Sequence, residues 1–115
     1  MSGKYSFYID CVPTGWRSLV AEILSELDTF NDKWPEDKQI TVLQVKEKFG
    51  SLRFYYRTPE YYRTAVVDGG AVEYVDDVYK FSTFVEQKCI ASEIMCMGCG
   101  KSMLQNMLNL CEKCE

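Results

Sequence analysis

Cys96-Met97-Gly98-Cys99 and Cys111-Glu112-Lys113-Cys114 are two CxxC pairs with eleven residues between them. Two thiolates on one tight turn face the same tetrahedral ion, and a second pair closes a four-cysteine shell. Gly98 and Gly100 flank Cys99, where such a turn needs backbone free of a Cβ penalty and amides able to point at sulfur. The competing reading is four buried or disulfide-bonded cysteines, but adjacent CxxC pairs make a poor disulfide framework. The expectation is a structural Zn2+ held by Cys96, Cys99, Cys111 and Cys114. Four thiolates leave no coordination position for water, and the chain has no histidine to act as general base or catalytic zinc ligand. The zinc should therefore hold a fold together, not hydrolyse a substrate.

A second group of residues suits recognition. Lys46, Lys48, Arg53, Arg57 and Arg63 are interleaved with Phe49, Tyr55, Tyr61 and Tyr62, the mixture of cations and stackable rings that single-stranded nucleic acid or a phosphate-bearing partner requires. The alternative is a solvated hairpin face whose aromatic residues pack inward. The net charge of −4 opposes non-specific nucleic-acid binding, yet residues 45–63 carry five basic and two acidic side chains. Residues 1–44 carry four basic and seven acidic, and residues 64–95 two basic and six acidic, so the basic segment lies between acidic ones. A catalytic reading joins Gln44-Val45-Lys46 to Asp28, Asp32 or Asp37 upstream as a metal-dependent nuclease site. A Q-x-K tripeptide is common by chance, and the chain is expected not to be an enzyme.

The elements that must position these residues are read from periodicity. Trp16, Leu19, Val20, Ile23, Leu24, Leu27 and Phe30 recur at three- and four-residue steps, predicting an amphipathic helix capped by Thr14 and ended by Trp34-Pro35. Ile40–Val45 and Leu52–Arg57 read as strands joined through Lys46–Ser51, with Gly50 at a positive φ. Leu52, Phe54 and Tyr56 should face the core, and Arg53, Tyr55 and Arg57 the solvent. Tyr5–Ile9 suggests an edge strand. Asp68-Gly69-Gly70 between two β-branched runs favours a further hairpin over residues 61–74; the alternative is a short helix with Thr58 as cap and Pro59 at its first position. From Asp76 the steps Val78, Phe81, Val85 and Cys89 turn helical, with Asp76 and Asp77 placed in the first turn.

At 115 residues, 47% of them hydrophobic, the chain is expected to be one α+β domain. Residues 1–94 form its core: an N-terminal amphipathic helix, a small antiparallel sheet (hairpin 40–57) and a long second helix. Residues 95–115 form a docked zinc ribbon or knuckle. A structural zinc contributes roughly 10–16 kcal/mol in small peptides, comparable with the stability of a whole domain. No run approaches a membrane span, and MSGKYSFYIDC lacks a signal-peptide pattern, so a soluble intracellular protein is expected. Cys11 and Cys89 are expected in the core.

The segment Gln44-Val-Lys-Glu-Lys-Phe-Gly-Ser-Leu-Arg-Phe-Tyr-Tyr56, with Gly15, Trp16 and Leu19 before it and Cys96, Cys99, Gly100, Cys111 and Cys114 after it, resembles a family of small phage and prophage proteins. These join a Gly-Trp-x-x-Leu helix start to a QVKEKFGxLRFYY-type hairpin, a long helix and a C-terminal zinc site. The chain departs at Cys114, where relatives often carry histidine, and in a longer segment around Asp68-Gly69-Gly70. The resemblance implies a phage accessory protein in the cytoplasm of a bacterial host, and carries no activity or substrate with it. The leading expectation is a protein that binds and inhibits or redirects a host protein complex. An antiviral defence system is one version, which makes the chain an anti-CRISPR candidate. The alternatives are a zinc-stabilised nucleic-acid binder working through Lys46, Lys48, Arg53, Tyr55 and Arg57, and a structural or assembly protein.

Overall fold

The computed structural model describes residues 6–95, 97 and 98. Its elements are α1 (Ser6–Ile9), a 3-10 turn (Thr14–Trp16), α2 (Arg17–Lys33), a 3-10 turn (Glu36–Lys38), β1 (Thr41–Lys48), β2 (Ser51–Arg57), α3 (Glu60–Asp68) and α4 (Val72–Ser92). This is an α+β arrangement in which the two long helices pack on each other and α4 also covers one face of an antiparallel hairpin.

The predicted stripe of α2 is the centre of the core: Leu19, Val20, Ile23, Leu24, Leu27 and Phe30 are all buried. Its start differs from expectation. Thr14 makes no capping bond; the chain enters through a 3-10 turn behind Pro13, and the Trp16 amide donates to the Pro13 carbonyl at 2.9 Å. At the other end Trp34 is extended, as a residue preceding proline must be. Asn31 then fixes the return to the sheet, donating to the Ile40 carbonyl and accepting from its amide at 3.1 and 3.0 Å.

β1 and β2 pair in register from Thr41↔Arg57 to Lys48↔Ser51, interrupted by a bulge at Leu43 between Val42 and Gln44. Val42, Val45, Leu52 and Phe54 are buried beneath the sheet. Tyr56 follows them, half-buried, and its hydroxyl bonds to Ser82 of α4 at 2.8 Å. The turn is shorter than the predicted Lys46–Ser51 link: it consists of Phe49 and Gly50 alone, both at positive φ.

Residues 61–74 correct the favoured sequence reading, because they contain no hairpin. Glu60–Asp68 is helical, Pro59 stands before it at φ −72°, and Gly69 closes it at φ 69° with its amide bonded to the Ala65 carbonyl. A proline start and a left-handed glycine stop are helix-ending chemistry. Burial outweighs the β-propensity of the run: Ala65 enters the core, and the Tyr61 and Tyr62 rings lie 5.0 and 6.3 Å from that of Tyr74. Consequently α4 begins at Val72, four residues before the predicted start, and Glu73 instead of Asp76 or Asp77 occupies its first turn. Asp77 bonds the Trp34 indole and pairs with Lys33 at 2.8 Å. Ser6–Ile9 is one helical turn, not an edge strand. Cys11 is exposed, against expectation, whereas half-buried Cys89 packs on the core.

Candidate functional site

The strand alternation that buries Val42, Val45, Leu52 and Phe54 turns their neighbours outward. Lys46 stands opposite Arg53, Lys48 opposite Ser51 and Thr41 opposite Arg57, with Gln44 opposite Tyr55. The bulge adds Leu43 to the same outward face, where it is 53% exposed. Four of the five basic residues singled out in the sequence therefore share one surface with Leu43 and Tyr55. Arg63 does not join them; it lies on α3. Glu86 and Glu93 line an open pocket together with Arg53 and Tyr55 at the edge of this face. Glu47 points to the opposite side at the hairpin end, where it accepts the Gly50 amide at 2.8 Å.

None of Lys46, Lys48, Arg53 and Arg57 forms an ion pair among the described residues. Three cations elsewhere do, Arg17 with Asp10, Lys33 with Glu73 and Asp77, and Lys88 with Glu22, whereas Lys38, Arg63 and Lys80 do not among the described residues. Asp77 and Glu73, hydrogen-bonded to Lys33, raise its pKa. Two of the hairpin cations rest on rings instead, Lys46 Nζ 5.9 Å from the centre of Tyr55 and Lys48 Nζ 5.5 Å from that of Phe49. Beside them Phe7, Tyr8 and Cys11 from the N-terminal turn face Leu43, Lys46 and Tyr55 across an open groove of about 640 Å3.

The aromatic half of the predicted nucleic-acid surface is divided. Tyr61 and Tyr62 are held inward around Tyr74, and Lys38 covers the Tyr61 ring at 4.5 Å. Tyr74 donates to the Lys38 carbonyl at 2.8 Å, and its pKa is pushed up to about 12, first by burial and then by neighbouring Tyr61, Tyr62 and Asp37. Only Tyr55 and Phe49 of the four rings remain with the cations.

The predicted zinc ligands Cys96, Cys99, Cys111 and Cys114 lie outside the described residues. The approach to them is described and is tightly fixed. Ser92, fully buried, accepts from the Leu52 amide at 2.8 Å and donates to the Cys89 carbonyl at 2.5 Å, tying the end of α4 to β2. The chain then turns over the start of α2, where the Trp16 indole donates to the Met95 carbonyl at 3.2 Å and the Gly15 amide to the Met97 carbonyl at 2.6 Å. Both residues flanking Cys96 are thus fastened to the core. Sequence reasoning placed Trp16 in the core but missed this second role, and Ser92 carried no signal at all.

The Asp28, Asp32 and Asp37 carboxylates are not gathered into a metal-binding cluster; among the described residues no three His, Cys, Asp or Glu side chains come together. No helix among the described residues is long and apolar enough to cross a membrane. Burial raises the Cys89 thiol pKa, opposed in part by the Phe54 backbone and by Arg53, so this thiol is not an activated nucleophile. No protein-family model, curated protein or solved structure matches the chain.

Proposed function

We propose that the protein is a non-catalytic binding module, stabilised by zinc, that docks an acidic patch of a partner protein on the outward face of its hairpin. One observation carries this reading: Lys46, Lys48, Arg53 and Arg57 share a face with exposed Leu43 and Tyr55, and none of the four forms an ion pair among the described residues. Such cations beside apolar surface suit a complementary interface, where opposite charge steers association and apolar contact slows release. In the phage setting that the sequence resemblance implies, the partner is a protein complex in the bacterial cytoplasm, with an antiviral defence system as the leading candidate.

A protein is favoured over single-stranded nucleic acid because Tyr61 and Tyr62 are committed to the core and Lys46 sits over Tyr55, leaving few rings for successive bases. The zinc is assigned to Cys96, Cys99, Cys111 and Cys114 on the chemistry of that donor set. The bonds from Gly15 and Trp16 to the residues flanking Cys96 support a tail docked on the core. The test is affinity purification from host cells of wild type, of Lys46→Glu/Arg53→Glu/Arg57→Glu, and of Lys80→Glu, a charge reversal on α4. A stoichiometric partner retained by wild type and Lys80→Glu and lost by the triple variant is the expected result. A partner equally retained by all three, or recovery that depends on intact nucleic acid, would refute it.

A further inference from the structure

At the tip of the hairpin the chain accepts two costs at one residue. Phe49 lies at φ 54°, in the left-handed region that a bulky L residue seldom occupies, and it is 88% exposed. The turn does not demand either. A two-residue hairpin turn with positive φ at both positions is made with least strain by Asn or Asp followed by Gly. Gly50 at φ 76° already supplies the second half, and the Glu47 carboxylate locks the turn through the Gly50 amide. An asparagine at 49 would build the same turn with less strain and no exposed ring. Strain held at a solvent-facing residue points to a use for that residue outside the isolated fold.

We propose that Phe49 is the anchor of the docking face, inserting into an apolar pocket of the partner protein whose rim carries carboxylates. The proposal rests on the docking reading above and specifies its centre. Charge complementarity defines the rim: Lys48 sits 5.5 Å from the Phe49 ring, and Lys46 and Arg53 face each other two pairs further along the ladder, on the same face as Lys48. An exposed aromatic ring beside a lysine, with further cations along the same face, has the composition of an interface hot spot, in which one residue fills a pocket and polar neighbours exclude water around it. A single ring on a two-residue turn offers no run of stacking surfaces to a nucleic-acid strand. It also buries too little to hold a membrane, and the chain's net charge of −4 opposes anionic lipid.

Two variants separate anchor from scaffold. Phe49→Asn removes the ring while favouring the turn, so its melting temperature should equal or exceed that of wild type. Lys46→Glu/Arg53→Glu removes the charge. A photoreactive benzoyl-phenylalanine placed at position 49 in bacterial host cells should yield one discrete protein adduct. The same probe at Val67, which is 79% exposed, should not yield it. Phe49→Asn should weaken binding of the crosslinked protein by about 30-fold or more. If Phe49→Asn binds within about 2-fold of wild type while Lys46→Glu/Arg53→Glu does not bind, the anchor is refuted and the docking reading survives. If neither variant alters binding, the docking reading falls as well. The absence of any adduct from position 49, or an adduct with nucleic acid or lipid, also overturns the proposal.

Discussion

Replacing Trp16 removes a side chain that is fully buried and also binds the residue preceding the first zinc-motif cysteine. Trp16→Ala leaves a large cavity among the α2 stripe, a change that typically costs about 3–5 kcal/mol. It also removes the donor to the part-buried Met95 carbonyl, a bond worth about 0.5–1.5 kcal/mol. These contributions overlap, so about 4–6 kcal/mol is the expected total, a large part of the roughly 5–15 kcal/mol that holds a domain folded. For 115 residues, unfolding entropy converts each kcal/mol into roughly 4 °C, so the melting midpoint should fall by about 16–24 °C. Trp16→Phe keeps most of the ring and loses the indole N–H, and about 1–3 kcal/mol, or roughly 4–12 °C, is expected. The assay is thermal unfolding by circular dichroism, paired with chelator competition for the proposed zinc. Both variants should release metal faster than wild type because the segment around Cys96 loses one of its two fastenings. A Trp16→Ala protein melting within about 2 °C of wild type would refute the packing described for this residue. Normal melting with loss of partner binding would assign Trp16 to the interface instead.

Three further outcomes are expected. Protein purified without added zinc should carry close to one equivalent by metal analysis, with Cys11→Ser and Cys89→Ser leaving it in place; an iron–sulfur chromophore, or less than about half an equivalent with full folding, contradicts the four-thiolate assignment. Single-stranded DNA and RNA oligonucleotides should bind weakly or undetectably at about 0.15 M salt, because acidic segments flank the basic face within roughly a Debye length; micromolar binding abolished by Arg53→Ala/Arg57→Ala would replace the docking reading with a nucleic-acid binder. The folded pKa of Tyr74 lies above its unfolded value, so its contribution to stability is complete below about pH 10 and is lost as pH rises towards 12; phenolate absorbance should show one tyrosine titrating late, and the alkaline loss of stability should be shallower in Tyr74→Phe.

What was legible in the chain was whatever a periodic pattern could report. The α2 stripe and the two faces of β2 follow from spacing alone, since helix and strand place side chains at periods of 3.6 and 2 whatever lies opposite. The α3 segment failed because β-branched residues compete with end signals, and the rings that decided the outcome find their partner in Tyr74 of the next helix. Gly50 announced a turn. The unusual position of Phe49 beside it depended on how many residues the ladder left unpaired, a property of register. The bulge that turns Leu43 outward has the same origin. The bonds from Gly15 and Trp16 to Met97 and Met95 join groups that no local pattern relates. The basic residues were recognisable as a cluster, but which four share a face, without an ion pair among the described residues, is a three-dimensional fact.

The contact between Trp16 and Met95 spans 79 positions of the chain, and that separation bears on how the protein is made. At about 5–20 residues per second, a ribosome needs roughly 4–16 s after Trp16 to reach its partner. The α4 helix that covers α2 is completed only three residues before Met95. During that interval the apolar stripe of α2 is synthesised and has no long helix to lie against. The stripe therefore stays uncovered for longer than it would in a protein built from sequential local contacts. Closure of the Trp16 clamp marks the moment when this exposure ends.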